Sequence, residues 1–137
     1  IGHSPATRAR VRALSRRFKK TSDGAAFFEL LAAADRLASA GMWLTVHDTY
    51  ARRVRLDVGP LTLEELKPVP EGHTGSALNI VPAYVGYLAA NAITGHTRAW
   101  TAEQGHAVSG IDSVNLLIGN TVKAHAERYS VSDAGLT

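Results

Sequence analysis

The apolar positions of this chain recur at helical spacing in three stretches. This period of about 3.6 residues predicts helices over 25–40, 76–93 and 108–118. Gly41 is expected to end the first helix, and the Gly119-Asn120 pair follows the third. The middle helix is apolar on most faces, which predicts a central position in the core.

Two other stretches have the pattern of strands. Residues 42–56 alternate loosely and are rich in β-branched and aromatic side chains, which predicts a strand, with a helix across 47–54 as the alternative. Residues 98–103 have the pattern of a short strand, and 58–70 that of a loop. Together these elements predict an α/β fold in which helices dominate and the sheet is incomplete.

The positive charge is concentrated at the amino terminus. The net charge is +3, yet residues 1–20 hold seven basic and no acidic side chains, and the remainder is net −4. We therefore expect a basic arm or linker over 1–24, with a helix across 5–20, and a folded domain over 25–137. Such an arm could bind nucleic acid, but a solvated linker is the commoner role, so nucleic acid is not the expected partner.

Composition restricts the setting of the protein. The 137 residues, 45% of them apolar, suit one globular domain. Without cysteine there is no disulfide and no thiolate chemistry, which favours a cytoplasmic location. Residues 72–97 contain no Asp, Glu, Lys or Arg, but the polar Asn79 and Asn91 and the helix-disrupting Pro82 interrupt this apolar stretch. We therefore expect a buried helix and no membrane span.

Two Gly-His pairs are the main candidates for chemistry. Gly72-His73 and Gly105-His106 each precede a predicted helix, 33 residues apart. A glycine turn that opens a helix presents free backbone N–H groups to an anion, and histidine can exchange protons near neutral pH. Two such turns predict one polyanionic ligand held between two helix ends.

Other site types find little support in the sequence. There is no His-Glu-x-x-His pattern, so no metal site is predicted. Ser109 lacks the Gly-x-Ser-x-Gly context of a hydrolase nucleophile, and no Walker loop is present. The His47-Asp48 pair is expected to have an ordinary surface role.

The segment Gly-His-Thr-Gly-Ser-Ala-Leu-Asn at 72–79 resembles the first Gly-His motif of thiamine diphosphate-dependent transketolases and phosphoketolases. The second pair, at 105–106, is similar to that family's second Gly-His motif, and the Gly-Leu pair at 135–136 resembles a later element. The chain also resembles a phosphoketolase-like branch of xylulose 5-phosphate 3-epimerases. The resemblance covers roughly residues 25–137.

The resemblance implies a site for thiamine diphosphate, with a sugar phosphate as substrate and carbohydrate metabolism of the pentose phosphates as the setting. It implies that His73 and His106 are the catalytic residues and contact cofactor and substrate. The full set of implied cofactor-binding residues is Gly72, His73, Gly75, Ser76, Gly105 and His106. Family members are dimers, so the rest of the polypeptide or a second subunit is an expected partner.

Two departures from the family limit the expectation. Ala107 stands where a glycine usually follows the second Gly-His pair. The Gly-Asp-Gly signature for the Mg²⁺ that holds the diphosphate is absent, as is the second cofactor-binding domain. We therefore expect the amino-terminal part of the diphosphate-binding domain of a larger lyase or transferase, inactive by itself. The alternative is a phosphate- or nucleic-acid-binding module that uses the basic arm.

Overall fold

The protein is a helical assembly in which three long helices pack against one another. The computed structural model describes residues 3–18, 24–57, 59–102 and 105–137. The longer helices are α1 (Pro5–Phe18), α2 (Gly24–Tyr50), α3 (Thr74–Thr94) and α4 (Val108–Leu117). Two short ones, α5 (Lys123–Ala126) and α6 (Asp133–Leu136), follow, and single 3₁₀ turns lie at Leu63–Glu65 and Gly105–Ala107.

The prediction of a helix-rich chain is confirmed, since 67% of the described residues are helical. No strand occurs among those residues, and their one isolated bridge is antiparallel, between Ala51 and Leu66. The described part of the chain thus lacks the sheet that a clear α/β fold needs. The helices predicted over 25–40 and 76–93 lie within observed helices, and the one predicted over 108–118 matches α4 except for Ile118, which follows its last residue.

The strand predicted over 42–56 is wrong, because α2 continues through Gly41 to Tyr50. The hydroxyls of Thr45 and Thr49 donate to the carbonyls one turn back, those of Gly41 (2.8 Å) and Thr45 (2.9 Å). These bonds satisfy two buried threonines inside a helix. Gly41 does not cap the helix, because α2 continues past it. The side chains of Val81 and Val114 pack directly on this glycine.

The short strand predicted over 98–103 is also wrong for the residues described, 98–102, which are irregular. Trp100 instead packs its ring against the rings of Tyr84 and Tyr87, with centroids 5.5 and 5.0 Å away. Residue 103 lies outside the described ranges. The aromatic contacts anchor this segment to the side of α3.

The main core lies where α2, α3 and α4 meet. Its buried centre consists of Val81, Tyr84, Val85 and Val114. Tyr84 also donates its hydroxyl to Asn115 Oδ1 at 2.9 Å, which links α3 to α4. A second small core joins α2 to the carboxyl-terminal segment through Leu44, Val54 and Leu136.

Helix α3 is long and apolar enough to cross a membrane by length and composition. An 18-residue window within it has a mean hydropathy of 1.2, and 22% of that window is buried. Its contacts with both α2 and α4 place one side of it in the core of the described chain.

Helix α1 packs against α2 and is mostly exposed. The His3 ring bonds Asp35 of α2, with Nε2 3.0 Å from a carboxylate oxygen. The Arg8 side chain donates to the His3 carbonyl at 3.0 Å. The predicted helix in the basic arm is therefore present up to Phe18, and residues 19–23, with Lys19 and Lys20, lie outside the described ranges.

Candidate functional site

The first Gly-His turn is carried to its position by the end of α2. The segment before it runs alongside the last turn of α2, where Lys67 N donates to the Tyr50 carbonyl at 2.7 Å. The Lys67 ammonium also donates to the Asp48 carbonyl, at 2.7 Å. Further along, Glu71 N donates to the Thr49 carbonyl at 3.4 Å. These bonds hold the chain on α2 up to the residue before Gly72.

Gly72 makes the turn that starts α3. Its φ of +103° lies in a region that side chains disfavour, so glycine is required by the backbone itself. His73 then occupies the position before the first helical residue, and its side chain makes no capping bond. The imidazole is exposed and remains available to other groups.

The second Gly-His turn is set by close packing of α4 on α3. A methyl group added to Gly110 would lie 2.5 Å from the carbonyl oxygen of Ala77 and 2.8 Å from Ile80 Cγ2. Ala77 and Ala107 are both fully buried. Only a residue without a side chain at 110 lets the two helices approach this closely, and the approach brings their amino-terminal ends together.

The two histidines meet at these ends. The ring centroids of His73 and His106 are 4.6 Å apart, with the ring planes inclined at 51°. Residues 33 positions apart in sequence therefore form one pair of imidazoles, and both are exposed. The structure brings together the two residues that the sequence singled out.

The electrostatic setting of the pair favours an anion. The first turns of α3 and α4 contain no acidic side chain. Each helix start leaves backbone N–H groups without a partner inside the helix and carries the positive end of the dipole. The exposed carboxylate of Glu71 is the nearest acidic group in sequence to either histidine.

The other predicted contact residues surround the same place. Gly75 and Gly105 are exposed, and a methyl group added to either would meet nothing within 4 Å among the described atoms. The packing of the described chain therefore does not require glycine at these two positions. Ser76 is half-buried in the first turn of α3.

Sequence reasoning missed the packing contact that aligns the turns. Gly110 and Ala77 are small residues at facing positions on two helices, and this pairing of small residues was the available signal. Because a strand was predicted over 42–56, His47 was expected at the surface, but it is buried in α2. Its ring stacks on that of Trp43, with centroids 3.9 Å apart, and Nδ1 lies 2.8 Å from the Trp43 carbonyl oxygen. His47 therefore belongs to the packing of the helix.

Within the described ranges, no group of three or more His, Cys, Asp or Glu side chains could hold a metal ion. The pair of imidazoles thus stands without a carboxylate cluster beside it. No family model, curated protein or solved structure matches the chain.

Proposed function

We propose that the His73–His106 pair forms part of a diphosphate-binding site in a thiamine diphosphate-dependent enzyme of the phosphoketolase and transketolase type. The observation that carries the proposal is the 4.6 Å separation of the two rings. Each ring belongs to a Gly-His turn that opens a helix, and a single anion can contact both turns.

The residues present fit the diphosphate end of such a cofactor. Gly75 and Gly105 leave the backbone open for close approach, and the two imidazoles stand at the start of α3 and in the turn that precedes α4. The described residues do not supply a site for Mg²⁺. The metal ligands would therefore lie in a further part of the enzyme, and the helical domain would be the incomplete α/β fold expected from the sequence.

The histidines have defined tasks in this proposal. When bound, thiamine diphosphate serves as the electron sink for cleavage of a carbon–carbon bond in a ketose phosphate. His73 and His106 would bind phosphate oxygens or sugar hydroxyls and carry protons to and from them. Epimerisation of xylulose 5-phosphate is the alternative reaction at the same site, since it also requires a proton donor and acceptor at a sugar phosphate.

Binding of pyrophosphate to this chain tests the proposal. We expect millimolar affinity, observed by NMR as shifts of the His73 and His106 ring signals at constant ionic strength. His73→Gln and His106→Gln should each weaken binding about fivefold, the loss expected for one charge-assisted hydrogen bond. His96→Gln, at an exposed histidine elsewhere, is the matched control.

Equal pyrophosphate affinity in all four proteins would refute the proposed site. Thiamine diphosphate itself should bind this chain weakly or not at all, with or without Mg²⁺. Micromolar, Mg²⁺-dependent binding would contradict the incomplete nature of the site. The gene should also encode a Gly-Asp-Gly block and a second cofactor-binding domain downstream. Their absence would refute the proposal that the protein is a thiamine diphosphate-dependent enzyme.

A second candidate function rests on α1. Its arginines at 10, 12, 16 and 17 have no hydrogen-bond or ion-pair partner among the described residues, and they are exposed on a helix without acidic side chains. Such a surface suits a nucleic-acid backbone. Binding of a short single-stranded DNA should then fall steeply with salt, and the paired change Arg12→Gln and Arg16→Gln should flatten that slope, whereas Arg53→Gln should not. A slope unchanged by the paired variant would exclude this function.

A further inference from the structure

A cavity of about 540 Å³ lies beside α4. Gly110 lies on the side of α4 that packs on α3, whereas Ser109, Asp112 and Leu116 line the cavity. The opposite wall is the carboxyl-terminal half of α2, and the segment 120–137 closes the third side. The volume falls in the range of sites for small molecules, about 300 to 1,000 Å³.

The segment 120–137 is fixed in place by specific contacts. The Thr137 hydroxyl accepts from Val54 N at 3.1 Å, and Asp133 accepts from Leu56 N at 3.0 Å. Leu136 packs into the second core against Leu44 and Val54. The cavity is therefore a feature of the folded chain, with a wall that tertiary contacts hold.

The interior and the rim of the cavity differ in chemistry. Leu44, Ser113 and Leu136 line it and are buried, at most 8% exposed, and the Ser113 hydroxyl lies 3.3 Å from the Thr45 hydroxyl. Asp48 and Asp112 also line it but are exposed. The cavity thus has a mainly apolar floor and an acidic opening.

No lysine or arginine is among the described residues that line the cavity. Neither the Asp48 nor the Asp112 carboxylate has a hydrogen-bond or ion-pair partner among the described residues. Among the described residues, His125 is the one basic side chain in the lining, and the Lys67 ammonium binds the Asp48 carbonyl without lining the cavity. The cavity therefore carries two carboxylates against a single histidine.

The environment of Asp112 agrees with this charge pattern. Although Asp112 is exposed as a residue, partial desolvation of its carboxyl raises the pKa above the ordinary value, and the positive charge that His125 can carry lowers it. Burial prevails, so the ionised Asp112 is poorly stabilised by its surroundings. A positive group in the cavity would stabilise it.

We infer that this cavity binds a small organic amine, with a short hydrocarbon body against Leu44 and Leu136 and an ammonium group between Asp48 and Asp112. An anion would meet two carboxylates, with no lysine or arginine among the described lining residues to balance them. A neutral ligand of the same shape would gain the apolar contacts alone. This site is separate from the proposed diphosphate site and does not depend on it.

Three probes with the same hydrocarbon body test the inference: pentylammonium, 1-pentanol and pentanoate. Binding is followed by NMR shifts of the Ser113 and Leu136 amides in the full chain. We expect pentylammonium to bind about tenfold more tightly than 1-pentanol, an effect of two partly solvated charges, and pentanoate to bind most weakly.

Charge-neutral variants locate the cation preference. The double variant Asp48→Asn/Asp112→Asn should reduce the affinity for pentylammonium to that for 1-pentanol and leave the alcohol unaffected. Asp57→Asn, which removes an exposed carboxylate outside the lining, should change neither affinity. The unchanged alcohol affinity also shows that the double variant is folded.

Three results would overturn the inference. They are equal binding of the amine and the alcohol by the unaltered chain, a preference for pentanoate, and no shift of the Ser113 and Leu136 signals with any probe. A cation preference that survives in the double variant would do so as well.

Discussion

The glycines of two regions of this molecule have opposite relations to the fold. Between the helices, Gly110 and Gly41 are buried, and an added methyl group would lie 2.5 Å from a backbone oxygen at the first and 3.0 Å from a valine methyl at the second. In the Gly-His turns, Gly75 and Gly105 face open space. The interhelical glycines set the geometry of the site, whereas the turn glycines leave room beside it.

This difference separates two reasons for a glycine that look alike in sequence. Gly110 positions α4 on α3 and so brings His106 to His73, although it touches neither ring. Gly75 contributes no packing that alanine would disturb, and in the proposed function its role is to leave the backbone accessible. Substitutions at the two kinds of position should therefore separate stability from binding.

The largest effect is expected for Gly110→Ala. The new methyl group collides with the Ala77 carbonyl, which belongs to the backbone and cannot rotate away, so we expect the free energy of unfolding to fall by about 2–3 kcal/mol. Gly86→Ala is the matched control, because it adds the same methyl group in α3 where nothing lies within 4 Å. It should stabilise by about 0.5–1 kcal/mol through helix propensity.

Urea denaturation measures both variants. If Gly110→Ala is as stable as the unaltered protein, the close approach of α3 and α4 does not require glycine at 110. The distinction between the two kinds of glycine would then be wrong.

The next effect concerns binding. Gly75→Ala and Gly105→Ala should each weaken pyrophosphate binding several-fold, because a methyl group restricts access to the backbone N–H groups. Neither should lower the free energy of unfolding by more than about 0.5 kcal/mol, the usual range for surface substitutions. Loss of stability with unchanged binding would reverse the roles that we assign to the two groups of glycines.

A smaller effect is expected at Asp112, on the face of α4 that lines the cavity. Because burial raises the pKa of this carboxyl in the folded protein, the folded state binds its proton more tightly than the unfolded state. Its contribution to stability is present below the ordinary carboxyl pKa and is lost as the pH rises through the raised value.

Asp112→Asn should therefore match the unaltered protein at pH 3 and exceed it in Tm at pH 7. Thermal unfolding across this range, with Asp57→Asn as the control for loss of one charge, measures the difference. A difference that shrinks as the pH rises would show that burial does not govern this group.

The smallest effect is expected at Glu65, which helps to hold the segment before the first Gly-His turn. Its carboxylate accepts from Thr62 N at 2.8 Å and pairs with Arg55 at 2.7 Å. The backbone hydrogen bond from Thr62 is the main cause that lowers its pKa, with the charge of Arg55 a lesser one. The stability from Glu65 is present above the ordinary glutamate pKa and lost as the pH falls through the lowered value.

Glu65→Gln should lower Tm slightly at pH 7 and leave it unchanged at pH 2, as measured by circular dichroism. Glu64→Gln, at the exposed neighbour, is the control. A loss of Tm in Glu65→Gln that persists at pH 2 would show that the carboxylate charge is not its cause.

The helices could be predicted from sequence wherever the apolar period was strong, as in 25–40 and 76–93. The region 42–50 was predicted as a strand, with a helix across 47–54 only as the alternative, because Thr45 and Thr49 favour strands by intrinsic propensity. In the structure, hydroxyl bonds one turn back satisfy both threonines inside the helix. Gly41 was wrongly predicted to end the first helix for a related reason. Its role is to accommodate the side chains of Val81 and Val114, and this long-range contact is visible only in the folded chain.

The histidine pair could be predicted as two residues of interest, but their separation could not. That distance depends on the contact of Gly110 with Ala77, a long-range feature that no local pattern reports. The acidic cavity was missed because Asp48 and Asp112 come from different helices, and the segment that closes it has no apolar period.

The central claim is that the two Gly-His turns meet, and an NOE between the imidazole protons of His73 and His106 tests it most directly. With ring centroids 4.6 Å apart, we predict a clear cross-peak in the unaltered protein and its loss in Gly110→Ala. If the assigned spectrum of the folded, unaltered protein lacks this cross-peak, the two turns do not form one site and the account is contradicted.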